Sequence, residues 1–216
     1  NMSIGQGNVL VNPLQLAVMV ARISSGKLIQ PRIVREKLPE APPLPVTAEH
    51  LAFVRDAMTA VVNGRGTATG AKIQVPGVLL AGKTGTAQVR RITMGERAGG
   101  VRSNESLAWR MRDHSLFVGF APADNPRYAC AVIVEHGGWG ATVAAPMCRD
   151  TLTYLFDKPK AMAALAALEE QWGGTIGERM QRRAETWRPS KPAPQPAETP
   201  KPAATSVNPR KPPTTV

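Results

Sequence analysis

The chain has 216 residues, 43% of them hydrophobic and 5% aromatic, which fits one globular α/β or α+β domain with appendages. Lys and Arg number 27 against 16 acids, a formal charge of +11, so an anionic partner is favoured: nucleic acid, anionic lipid or a polymer such as a cell wall. No helix-turn-helix pattern and no aromatic-interleaved basic motif occurs, which argues against nucleic acid, and no apolar run is long enough to cross a membrane.

The chain opens on NMSIGQG without an initiator methionine, which reads as mid-domain sequence and predicts a piece of a longer protein. Asn12-Pro13 then precedes LQLAVMVARISSG. Asn12 suits an N-cap and Pro13 the first helical position, apolar residues recur at helical spacing, and Gly26 ends the helix. LIQPRIV reads as a short extended segment and EKLPEAPPLPV as a proline-rich loop. TAEHLAFVRDAMTAVVNG is a second amphipathic helix, closed by Asn63-Gly64. GRGTATGAK is a glycine-threonine loop with one helical turn at most. LLAGKTGTAQV, residues 79–89, has the alternation of a strand.

A polar insert rich in Arg and Gly spans 90–112. It reads either as a solvated loop or as a strip that lines a groove and meets an anionic polymer or a partner. SLFVGFAP and YACAVIVEH form a hairpin turned by Asp124-Asn125-Pro126. GGWGAT is a flexible loop or a groove border, and VAAPMCRDTLTYLF is a helix suited to cover the sheet. Residues 158–187 have helical composition, interrupted at Gly173-Gly174. From Arg188 the chain is proline, alanine, threonine and lysine without apolar period, and is expected to be disordered; five bases and one acid there supply about +4 of the charge. Cys130 and Cys148 read as two buried thiols, with a disulfide left open.

The chemistry sits in Lys83-Thr84-Gly85-Thr86. Side chains alternate along a strand, so Thr84 and Thr86 share one face and Lys83 points to the other, towards whatever packs beneath. Two hydroxyls two residues apart suit one carboxylate. Gly85 lets a ligand backbone lie close, and an edge strand pairs with an extended peptide. Such a surface suits a short peptide ending in a carboxylate. GVLLAGKT formally satisfies the phosphate-loop pattern. Its variable positions Val78, Leu79, Leu80 and Ala81 are apolar and strand-forming, however, and no helix is indicated after it, so phosphate binding is set aside. His50, His114 and His136 lack metal-ligand spacing, and Asp113-His114 reads as local hydrogen bonding.

Lys-Thr-Gly is also the third signature of the serine acyl-transferases that react with penicillin, beside S-x-x-K and S-x-N. Around it SIGQG (3–7), NPLQLA (12–17), NGRGTA (63–68), AGKTGTAQV (81–89), LFVGFAP (116–122) and EHGGWG (135–140) occur in order. Together with RMRDHSLFVGFAP they resemble the C-terminal half of the transpeptidase domain in the elongation-specific class B penicillin-binding proteins, the penicillin-binding protein 2 group. The resemblance covers residues 1–157; it does not reach the helical extension 158–187 or the tail 188–216.

The resemblance implies an α+β body of the penicillin-binding-protein and serine β-lactamase type, present in part. An antiparallel sheet near 79–89, 115–121 and 128–135 would carry a helix near 143–157, with helices 13–25 and 47–62 on the helical side. It implies that Lys83 supplies positive charge beside a serine nucleophile and helps move its proton. Thr84 and Thr86 would hold the terminal carboxylate of a stem peptide or a β-lactam, and the Thr86 backbone N–H would be one oxyanion donor. The whole protein would be a peptidoglycan D,D-transpeptidase without a cofactor, in the periplasm on an inner-membrane anchor, working with a SEDS-family glycan polymerase. A septal penicillin-binding protein, a penicillin-recognising hydrolase and a non-catalytic wall-peptide module share the same tetrad.

Two text matches complete the set only on paper. Ser24-Ser25-Gly26-Lys27 fits S-x-x-K, but the true nucleophile opens a helix with its lysine one turn on, whereas Ser24 ends one. Ser206-Val207-Asn208 fits S-x-N inside the proline-rich tail. The nucleophile, its lysine and the middle motif are expected upstream of residue 1, so the chain alone is expected to be inactive.

Overall fold

The computed structural model describes residues 10–34 and 39–187; SIGQG, the Ser206 match and the tail 188–216 lie outside the described residues. The first helix, α1 (Pro13–Ser25), starts as the sequence dictates. The Asn12 side chain accepts the Gln15 N–H at 2.9 Å, the Gln15 side chain accepts the Asn12 N–H at 2.9 Å, and Pro13 occupies the first turn. Gly26 closes it at φ 72°, where any other residue would be strained. Thr47 caps α2 (Ala48–Asn63), and the Asn63 side chain leaves the last turn to donate to the Leu80 carbonyl at 2.8 Å, tying the helix to the strand that follows.

LIQPRIV does not form a strand. Pro31 cannot donate to a ladder; the isolated bridge is made just before the segment, by Lys27 with Pro43, and the Leu28 N–H donates to the Pro42 carbonyl. The sheet is three-stranded and antiparallel in the order β1 (Ala81–Ala87), β2 (His114–Ala121), β3 (Tyr128–Val134). The first strand is shorter than its apolar flanks suggest because its partner runs out: Ala87 pairs with His114, where β2 begins.

Register assigns the faces. Thr84 lies opposite Phe117 and Thr86 opposite Ser115, and the Phe117 face is covered by α4 (Ala144–Phe156) through Ala144, Ala145, Cys148 and Leu152. Lys83 lies opposite Val118, and that face meets α1 and α2 through Val20 and Met58. Helices α1 and α2 therefore form the helical layer on this face of the sheet. Phe117 and Phe120, fully buried on opposite faces, each contribute about 1.5–3 kcal/mol.

The insert 90–112 is folded. Thr93 caps a short helix, α3 (Met94–Gly99), and Arg90 grips Glu96 through two bonds of 2.7 and 2.6 Å; that guanidinium holds the Glu96 carboxyl below its ordinary value. Asn104 and Leu107 are buried. Beyond the sheet layer, Asp157 caps α5 (Lys158–Gln171), which returns along α4, and a break at Gly173-Gly174 leads to α6 (Ile176–Thr186), opened by a Thr175–Glu178 capping box.

Candidate functional site

Strand β1 is an edge strand among the described residues, so alternate backbone groups along it have no ladder partner. Thr84, Gly85 and Thr86 line a groove of about 480 Å³ together with Thr67 and residues 139–142. The expected face-sharing of Thr84 and Thr86 is therefore realised, and both hydroxyl residues meet open space. Two larger hollows lie elsewhere: about 670 Å³ between α1 and α2, and about 510 Å³ between α4 and α5. The first is walled mainly by aliphatic side chains such as Val18, Leu51 and Val54, and neither contains residues of the tetrad.

Lys83 leaves the opposite face. Nothing among the described residues packs over it: its side chain is exposed, and Nζ donates to the Thr84 carbonyl at 2.9 Å. The tetrad thus presents an ammonium on one face and hydroxyls on the other, flanking a single strand edge. The phosphate-loop alternative fails on geometry, because Ala81–Ala87 is strand and no helix begins after Thr84.

Two contributors were not foreseen. Thr67, in the loop after α2, sets its hydroxyl 3.0 Å from that of Thr84 across 17 residues of sequence. Thr142 lines the same groove. Hydroxyl-bearing loop residues near a glycine are the sole sequence signal for either. The GGWG loop is a groove border, not a free loop. Gly140 lies so close to β1 that an added Cβ would fall 2.5 Å from the Gly85 carbonyl oxygen and 2.4 Å from that of Leu116. No residue of 90–112 lines the groove.

One buried hydroxyl fixes this wall. Ser115 is fully buried; its Oγ donates to the Trp139 carbonyl at 3.1 Å and accepts the Ala144 N–H at 3.1 Å. It thereby serves as the missing N-terminal cap of α4, where Val143 offers no side-chain bond. Ser115→Ala leaves the Ala144 N–H unpaired, while the Trp139 carbonyl keeps the Thr142 and Val143 N–H groups, and is expected to cost about 1–3 kcal/mol, measured by urea unfolding. A loss below about 0.5 kcal/mol would mean that the hydroxyl does not hold the wall.

Two of the three histidines meet, with the His114 and His136 rings 4.7 Å apart, while His50 lies elsewhere. His114 Nδ1 accepts the His136 backbone N–H at 2.9 Å, and His136, at φ 54°, donates from Nδ1 to the Arg112 carbonyl at 2.9 Å, with Trp109 stacked edge-on at 4.5 Å. The Asp113 N–H donates to the Asn104 side chain at 2.9 Å, the local bonding expected. His50 lines the hollow between α1 and α2. Among the described residues no group of three or more His, Cys, Asp or Glu is placed to hold a metal ion. Ser24 ends α1 and donates to the Ala21 carbonyl at 3.0 Å, while Lys27 pairs with Glu40.

Residues 1–153 match the penicillin binding protein transpeptidase domain. Over 162 residues the chain is 39% identical to a peptidoglycan D,D-transpeptidase MrdA of Acinetobacter baumannii, covering 68% of this chain and 23% of that one. It is 31% identical to the MrdA of Escherichia coli K12, covering 77% of this chain and 28% of the relative. A Helicobacter pylori PBP2, solved in complex with MreC, superposes with a TM-score of 0.53 at 31% identity over 71% of this chain and 27% of its own. The chain spans about a quarter of the length of these relatives.

Proposed function

The chain belongs to the penicillin-binding protein transpeptidase family, and on that footing we propose that it forms one wall of a peptidoglycan D,D-transpeptidase site. The observation that carries this reading is the edge strand itself: Thr84 and Thr86 open onto one groove, with Lys83 on the other face of the same segment. Thr84 and Thr86 would hold the carboxylate of the donor stem peptide or of a β-lactam. The Thr86 N–H would stabilise the oxyanion as the serine adds to the scissile carbonyl, and Lys83 would set positive charge beside that serine. Collapse of that adduct would release the donor's terminal residue and leave an ester on the serine; the amine of a second stem peptide would then take the acyl group and return the serine hydroxyl. No metal or redox group is required for these steps.

We take neither serine match as the nucleophile: Ser24 ends a helix, and Ser206 belongs to the proline-rich tail sequence. We assign the nucleophile, its lysine and the S-x-N motif to sequence beyond these residues, and expect this chain alone to be inactive. The function proposed for the whole protein is wall cross-linking during elongation, from a periplasmic domain on an inner-membrane anchor, beside a SEDS-family polymerase. The 39% identity to MrdA supports the elongation role, and the solved complex of the Helicobacter PBP2 with MreC supports an MreC-type protein as a second partner.

The test uses the full-length protein and a fluorescent penicillin. Thr84→Val and Thr86→Val should each lower the second-order acylation rate about 10- to 100-fold, the worth of a hydrogen bond to a charged group. Unchanged rates in both would remove the carboxylate role. The 216-residue chain should stay unlabelled, and an adduct on Ser24 would overturn the assignment of the nucleophile.

A further inference from the structure

The proposed chemistry makes no use of the two cysteines, yet the fold brings them together. Cys130 pairs with Gly119 in the β2–β3 ladder, so its side chain shares a face with Phe117 and Ala121, the face under α4. Cys148 sits on α4, fully buried, in the same apolar cluster, with half-buried Cys130 packed against it. The nearness of the two thiols pulls Cys130 below the ordinary thiol value and, with burial, pushes Cys148 well above it.

We propose that Cys130 and Cys148 form a reversible disulfide that staples α4 to β3 when the folded protein meets a disulfide oxidant. The more accessible Cys130 attacks first. Its thiolate displaces one thiolate from the oxidant and forms a mixed disulfide. Cys148 then loses its proton and attacks Cys130 Sγ, releasing the second oxidant thiolate. Two protein thiols are oxidised to one disulfide, and the oxidant disulfide is reduced to two thiols.

The staple has a place in the site. It closes the loop between 130 and 148, which contains the groove wall 139–142, and Cys148 lies one helical turn beyond Ala144, whose N–H is held by Ser115. The pairing requires only contact and an oxidant, so it stands or falls independently of the acyl-transfer chemistry.

The experiment starts from reduced, folded full-length protein exposed to glutathione disulfide. The reaction is quenched with N-ethylmaleimide in denaturant, and peptides are read by mass spectrometry. The expected result is a linked Cys130–Cys148 peptide, lighter by two hydrogens than the separate pair, and a thermal midpoint roughly 5–10 °C above that of the reduced form. Cys148→Ser should instead accumulate glutathione on Cys130. Maleimide on both wild-type cysteines, or stable glutathione on Cys130 beside alkylated Cys148, would overturn the proposal. So would a Cys130 in Cys148→Ser that takes up no glutathione.

Discussion

Lys83→Ala in the full-length protein should lower the rate of acylation by penicillin about 100- to 1,000-fold while leaving the unfolding midpoint nearly unchanged. The separation of the two effects follows from placement. The side chain is exposed and its one recorded partner is the Thr84 carbonyl of its own strand, so its removal vacates no core; surface changes of this kind stay within about 0.5 kcal/mol. The same exposure leaves the ammonium free to face a nucleophile contributed from outside the described residues. There it would stabilise charge and assist proton transfer, effects each worth about two to four orders of magnitude. Lys83→Arg keeps the charge but not the compact point donor, and should recover only part of the rate. Acylation by the Lys83→Ala protein at the wild-type rate would remove the residue from the mechanism.

Gly140→Val should be the most damaging single change at the groove that alters no proposed chemical group. The wall loop crosses β1 in backbone contact, and an added Cβ would fall 2.4 Å from the Leu116 carbonyl oxygen and 2.5 Å from that of Gly85. These are backbone atoms of paired strands and cannot swing aside. The loop must lift, which strains the Ser115 bonds to Trp139 and Ala144. Overpacking of this kind costs about 1–3 kcal/mol, and misplacing a substrate-positioning wall by an ångström costs about 100-fold in rate. Urea unfolding and penicillin acylation measure the two losses. Full activity in a Gly140→Val protein would show that residues 139–142 do not shape the bound substrate.

Much of the frame was legible because its signals are local. Asn12-Pro13 and Gly26 delimit α1, Thr47 opens α2, and the Asp124-Asn125-Pro126 turn joins β2 to β3. Period-two patterning placed Thr84 and Thr86 on one face, and the strand register bears that out. What escaped depends on distant contacts. Nothing near Thr67 announces a partner 17 residues on, and Ser115 reads as an ordinary strand serine until the Trp139 carbonyl and the Ala144 N–H are brought to it. The insert 90–112 looks solvated in composition, yet Arg90–Glu96 and the burial of Asn104 and Leu107 fold it away from the groove. Lys83 misled in the other direction: alternation gave its face correctly but not its cover, because no described element packs over it.

The claim on which the account turns is that residues 83–86 clasp a substrate carboxylate along an open strand edge. A crystal structure of the full-length protein acylated by a β-lactam measures this directly. The expected result is the ligand carboxylate within hydrogen-bond distance of the Thr84 and Thr86 hydroxyls and the ester carbonyl oxygen on the Thr86 N–H. An acyl group whose carboxylate lies away from this strand, with both threonines still facing empty space, would contradict it.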